Sequence, residues 1–290
     1  MTETTPLNLV NQGAEIFVPD GSHYIRAVRR TTHLGIGAHQ DDLENIAVNG
    51  ILNCYQDPRR SFSGVVLTDG AGAPRPPKLT TLPDLEYVQL RNQEQKAAAR
   101  LGQYSAAVLL AYSSPDLKDF GNSGPTRDLQ NLIRTASARV IYAHNPFDRH
   151  PTHQAAALRT LLALQSLPPK YHPERLYGVE FWRDLDWLDH PARVTLDCSQ
   201  NLELQADLLG VYESQNAVKD YPRGSLGRRR AQAVFAESHQ PDQRLAQMYA
   251  VDLTPLLAKD APSLGDFARA LLESFQEQVL ASLTDLHPPD

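Results

Sequence analysis

A chain of 290 residues with 41% hydrophobic residues can bury one full core and lies near the upper end of what a single α/β domain holds. Its formal net charge of -6 at pH 7 supplies no basic surface for neutralising phosphates, which argues against nucleic acid as a partner, and the composition argues against disorder. One domain over residues 1–290 is expected, with a helical extension from about residue 200.

Cys54 and Cys198 lie far apart in apolar surroundings without a C-x-x-C spacing, so they read as two buried free thiols. The first residues lack the basic flank and apolar run of a signal peptide. No later stretch reaches the ~18 apolar residues of a membrane span. A cytoplasmic protein is expected, and its oligomeric state is left open, a homo-oligomer being compatible with the sequence.

In chain order, 14–18 and 24–28 read as a hairpin preceding the main alternation. A strand follows over 32–38, a helix from Asp42 toward Tyr55, and a strand over 64–68 that ends at Asp69-Gly70. The next helix covers 84–101, a strand 106–112, a helix 126–137, a strand 139–144, and then a helix opened by Pro151. Strands are expected again at 176–182 and 193–198, and only helices after that. Strand-length apolar runs alternating with helical segments predict an α/β, Rossmann-like three-layer fold with a mostly parallel sheet. The loops at 71–78 and 220–230 are candidate rims of a ligand site.

The strongest local signal is Gly35-Ile-Gly-Ala-His-Gln-Asp-Asp42, an apolar strand that runs into a histidine and two adjacent carboxylates at a helix start. Neighbouring residues at such a start point about 100° apart. Asp41 and Asp42 therefore divide the labour: one binds a metal beside His39 and the other reaches the water to be activated. The second signal is His150-Pro-Thr-His153, at another junction of strand and helix. Side by side in the sheet, the two junctions would assemble His39, Asp42 and His153, a donor set suited to Zn²⁺ and also accepted by Mn²⁺ or Fe²⁺. Each signal alone has a plainer reading: an H-x-x-H pair is usually two surface histidines, and an Asp-Asp pair is usually a helix cap. Their appearance at two strand ends makes the joint reading the stronger one.

These motifs resemble those of the LmbE-like, or PIG-L, N-acetylglucosaminyl deacetylases. Ala38-His-Gln-Asp-Asp42 is similar to the family's A-H-P-D-D, and His150-Pro-Thr-His153 to its H-P-D-H. The resemblance runs from about Thr32 to Ser199 and includes Thr68-Asp-Gly-Ala-Gly72, Arg91-Asn-Gln-Glu94 and Leu101-Gly102. It implies a Rossmann-like fold, a divalent metal that is typically zinc, and removal of an acyl group, best acetyl, from the nitrogen of an amino sugar or glycoconjugate. It further implies His39, Asp42 and His153 as ligands and Asp41 as general base. His150 would stabilise the oxyanion or protonate the amine, and Arg91 and Asp119 would contact substrate. Two departures stand out: Gln40 replaces proline, and Thr152 replaces an aspartate that in relatives orients the histidine matched by His150. Asp148 is a candidate substitute for that aspartate, and His144 a candidate acid.

Arg223, with Arg228, Arg229 and Arg230, could recognise a phosphate or carboxylate of the substrate, although such charge runs are usually solvated helix starts. Trp182 and Trp187 could stack on a sugar, with packing the plainer reading. A dinucleotide dehydrogenase is disfavoured because Gln40 stands where the third glycine belongs and two carboxylates would repel a pyrophosphate. A metal-dependent esterase or phosphoesterase, and a non-catalytic carbohydrate-binding relative, remain as alternatives.

Overall fold

The computed structural model describes residues 7–188 and 191–286. Its strands are β1 (Glu15–Phe17), β2 (His33–Gly37), β3 (Phe62–Thr68), β4 (Ala106–Tyr112), β5 (Val140–His144), β6 (Arg175–Val179), β7 (Arg193–Asp197) and β8 (Gln247–Asp252). They form one eight-stranded sheet in the order β1-β4-β3-β2-β5-β6-β8-β7. The central pairs β4·β3, β3·β2, β2·β5 and β5·β6 are parallel, and β1, β8 and β7 add antiparallel edges. The helices are α1 (Tyr24–Arg29), α2 (Asp42–Ile46), α3 (Val48–Cys54), α4 (Asp84–Leu101), α5 (Ser114–Lys118) and α6 (Gly124–Ala136). They continue with α7 (Pro151–Gln165), α8 (Leu202–Gly210), α9 (Glu213–Asn216), α10 (Tyr221–Val234) and α11 (Leu264–Leu286).

Alternation along each strand divides the core into two layers. Leu34, Ile36, Val65, Leu67, Val108 and Leu110 face one cluster, which α6 and α7 complete. Phe62, Val66, Ala107 and Leu109 face the other, with Leu43, Ile46 and Ile51 of α2 and α3. The three-layer, mostly parallel fold expected from the sequence is thus borne out.

Three expectations are corrected. Residues 24–28 are not the second arm of a hairpin but lie in α1, where His23 caps the helix by accepting from Ile25 N; β1 pairs instead with β4. The segment from Asp42 to Tyr55 is two helices hinged at Ala47. The region after residue 200 is not wholly helical, because β8 inserts between β6 and β7. Its run Gln-Met-Tyr-Ala-Val-Asp is too short to have a decisive period, and pairing on both sides makes it a strand.

Two glycines set the position of α2. A Cβ on Gly64 would collide with Leu43 Cδ1, so glycine in β3 lets Leu43 pack directly on the sheet. A Cβ on Gly37 would sit 2.9 Å from Asp42 Cβ, so the second glycine of Gly35-Ile-Gly37 makes room for a carboxylate and not for a pyrophosphate. Asp41, with φ 85°, makes the sharp reversal between β2 and α2, a left-handed conformation that Asp tolerates better than most residues.

Candidate metal and active site

The site lies at the carboxyl ends of β2, β3 and β5, where β2 is flanked by the other two strands and a parallel sheet opens a crevice. His39, Asp41 and Asp42 follow β2, Asp69 and Gly70 follow β3, and His144 ends β5 ahead of the loop to α7. Pairing of β2 with β5 brings the two histidine motifs together.

His39 Nδ1 lies 3.3 Å from Asp42 Oδ2 and 3.3 Å from His153 Nε2, while His153 Nε2 lies 3.5 Å from Asp42 Oδ1. Donors about 2.1 Å from a tetrahedral ion lie about 3.4 Å from one another. The spacing and the imidazole and carboxylate chemistry therefore fit a divalent metal. Among the described residues, two overlapping groups could hold such an ion: His39, His150 and His153, and Asp42, His144 and His153. The donor atoms in each group lie within 4.8 Å of one another.

Surrounding groups fix the orientation of these donors. Asp42 Oδ2 accepts from His39 N at 2.7 Å and lies 2.9 Å from His144 Nε2, leaving Oδ1 as the oxygen nearer His153. Burial disfavours the Asp42 charge, but the imidazoles of His153, His144 and His39 outweigh it and hold this carboxyl well below the ordinary range. His153 Nδ1 lies 3.3 Å from Asp148 Oδ2, which favours the tautomer with the proton on Nδ1 and a free lone pair on Nε2. Burial, foremost, lowers the His153 pKa to about 3 and keeps the ring neutral, as a ligand must be. The ring is sandwiched between His144, 3.9 Å away by centroid, and Phe181 at 5.5 Å.

Asp41 is buried, and burial pushes its pKa well above the ordinary value, with the Asp42 charge adding to the effect and Arg91 opposing it. Its Oδ2 lies 3.5 Å from Arg91 Nη2. His150 caps α7 by accepting from Thr152 N on Nδ1, so the single proton of its neutral ring belongs on Nε2. Burial and then the His39 charge lower its pKa. Asp148 does not take over the ring of His150; it accepts only the backbone N–H of that residue and turns its other oxygen to His153. His144 is fully buried and directed at Asp42, behind the cavity lining.

His39, Asp41, Asp42, Arg91, His150 and His153 line one cavity of about 410 Å³. Arg91 is nevertheless almost wholly engaged by the protein, donating to Gly70 O and Gln40 O at 2.9 Å each. Asp119 and Arg223 lie outside the lining. Asp119 is exposed and accepts from Gly121 N in its own loop, and Arg223 is exposed on α10. Arg229 is buried and donates to Glu44 O and Gln205 Oε1, while Arg228 pairs with Asp184, so the arginine run largely fastens α10 down. Trp182 lines the cavity, whereas Trp187 packs edge-on against Phe147 and Phe275. The lining also includes Tyr221, from the 220–230 stretch expected at the rim, and Ser114 and Lys118 of α5, Gln215 and Lys219, which sequence reasoning did not single out. The capped start Ser113-Ser-Pro-Asp116, whose Ser113 Oγ accepts from Asp116 N, was a readable sign of α5.

A family profile described as "PIG-L: GlcNAc-PI de-N-acetylase" matches residues 34–164, the segment that supplies both histidine motifs. The resemblance to the PIG-L family is borne out. Over a longer stretch than that match, the fold is similar to that of N,N'-diacetylchitobiose deacetylase from Pyrococcus horikoshii, with a TM-score of 0.61 at 17% identity over 80% of this chain and 87% of that one. It is also similar to the A40926 pseudoaglycone deacetylase Dbv21, with a TM-score of 0.57 at 16% identity over 77% of this chain and 97% of that one. A third similar structure is GalB, the 4-carboxy-2-hydroxymuconate hydratase from Pseudomonas putida KT2440, with a TM-score of 0.57 at 16% identity over 77% and 96% of the two chains. At such identities the likeness shows the fold alone. A hydratase among these structures means that the reaction has to be argued from the site.

Proposed function

We propose that this protein is a metal-dependent amide hydrolase that removes an acyl group, best acetyl, from the nitrogen of an amino sugar or a similar small polar substrate. The observation that carries this reading is the close approach of His39, Asp42 and His153, with His39 Nδ1 3.3 Å from His153 Nε2 and the two oxygens of Asp42 3.3 and 3.5 Å from those nitrogens, beside the cavity-lining carboxylate of Asp41. Together with the PIG-L match, it supports N-deacylation over other uses of the same fold.

His39, Asp42 and His153 would hold the ion, with zinc the best fit to imidazole and carboxylate donors and Mn²⁺ or Fe²⁺ also compatible. When bound, such a cation supplies Lewis acidity toward a carbonyl and makes water a nucleophile near neutral pH. Asp41 acts as the general base: burial raises its proton affinity into a more useful range, and Arg91 restrains the rise and fixes the carboxylate. His150, with its proton on Nε2, donates a hydrogen bond to the oxyanion of the tetrahedral intermediate, and the proton that Asp41 has taken from water passes to the departing nitrogen. Thr152 contributes its backbone N–H, which favours the tautomer of His150 with the proton on Nε2. The side chain of Trp182, 6.5 Å from His150 by ring centroid, offers an apolar face for a sugar ring.

The test is to load purified protein with zinc, manganese or iron and measure primary amine released from a panel of N-acetylated amino sugars. Release that depends on the metal and disappears with chelator is the expected result. Absence of amine release together with hydrolysis of phosphate or carboxylic esters would redirect the reading to an esterase or phosphoesterase.

A further inference from the structure

The outer lining of the cavity has a charge opposite to that of the protein. The chain carries 34 acidic and 28 Lys and Arg residues, yet the only carboxylates among the described lining residues are Asp41 and Asp42. Asp42 lies within the ligand set and Asp41 against Arg91, so neither presents a carboxylate at the mouth. Lys118, from the end of α5, and Lys219, from the segment after α9, instead approach the cavity from separate elements. Lys118 has no hydrogen bond or ion pair among the described residues. Lys219 lies over Trp182, with Nζ 5.0 Å from the ring centroid, and has no carboxylate partner among the described residues. Because Trp182 also neighbours His150, this ammonium is two ring contacts from the reacting end of the site. Arg91 is not available in the same way, being held by two carbonyls and Asp41.

Resting on the deacylase reading above, we infer that the cavity selects N-acylated substrates bearing a phosphate or carboxylate, which Lys118 and Lys219 bind while Trp182 packs on the intervening ring. Two mobile ammonium groups suit an anion of variable position better than a planar, bidentate match, so the preference is for charge more than for shape. It acts mainly on capture of the substrate, through KM, and is screened by salt because both lysines are exposed.

The experiment compares kcat/KM of the metal-loaded protein on N-acetylglucosamine, N-acetylglucosamine 1-phosphate and N-acetylmuramic acid, at low and at high salt. The two anionic substrates are expected to exceed the neutral one by about ten-fold at low salt, since two exposed ion pairs of ordinary strength multiply to that factor. The advantage should shrink toward unity in high salt and in the K118Q/K219Q double variant, mainly through KM. Preference for only one anion assigns the source as phosphate or carboxylate. Equal kcat/KM for neutral and anionic substrates, or a preference unaffected by the double substitution, overturns the inference while leaving deacylation intact. Failure of all three to release amine counts instead against the deacylase reading.

Discussion

Asp148 Oδ2 lies 3.3 Å from His153 Nδ1, and through that contact a residue outside the donor set governs which nitrogen of His153 faces the cavity. The same carboxylate accepts from His150 N and Trp182 N, so it joins the start of α7 to the segment after β6. Replacing it by asparagine keeps the shape but removes the charge that favours the Nδ1-protonated tautomer. Asp148→Asn is expected to weaken metal binding by about 10- to 100-fold, measured by competition with a chromophoric chelator.

Asp41 and His153 have separable roles, and the variants should separate them. Asp41→Asn is expected to lower kcat by about 10²- to 10⁴-fold while metal content stays near one equivalent. His153→Ala should lose the metal itself. Elemental analysis alongside amine release distinguishes the two, and normal activity in Asp41→Asn would show that the base lies elsewhere.

His144 Nε2 lies 2.9 Å from Asp42 Oδ2 and 3.1 Å from Ala38 N, whose N–H points at it, while its buried Nδ1 has no partner. A glutamine can place its amide nitrogen near the position of Nε2, and leucine cannot. His144→Gln should therefore retain metal affinity that His144→Leu loses, again by about 10-fold or more on the chelator assay. Equal affinity in both variants would reduce His144 to packing.

The pH dependence of stability has a contributor remote from the site. Burial first, and then the charges of Arg60 and Arg139, lower the pKa of His33 from 6.5 to about 4 at the opposite end of β2. The folded protein thus resists a proton that the unfolded chain accepts, so stability is present above pH 6.5 and is lost as pH falls toward 4. The Tm of the parent protein should fall relative to that of His33→Asn across this window. A constant difference between the two would contradict the depressed pKa.

The parallel core and both histidine motifs were legible in the sequence because strand-length apolar runs and the carboxyl ends they lead to are local features. The hairpin expected at 14–28 failed because Tyr24-Ile-Arg-Ala-Val28 has an apolar pattern that suits either period, and the cap from His23 decides for helix. Asp119 was placed near substrate by the family resemblance and Arg223 by its arginine cluster, but from α5 and α10 it is Ser114, Lys118 and Tyr221 that line the cavity. Which residue of a short helix points inward depends on its docking angle, and no local pattern encodes that. Arg91 was read as a substrate contact, yet its buried guanidinium is held by Gly70 O and Gln40 O, two loop carbonyls brought to it only by the folded sheet.

The central claim is that one ion is shared by His39, Asp42 and His153, with His150 kept as a hydrogen-bond donor to the oxyanion. Anomalous diffraction from zinc-soaked crystals tests it most directly. The account predicts a single peak about 2.0 to 2.2 Å from one donor atom of each of those three residues, with His150 outside coordinating distance. A peak bound by His150 in place of Asp42, or the absence of any peak between His39 and His153, would contradict it.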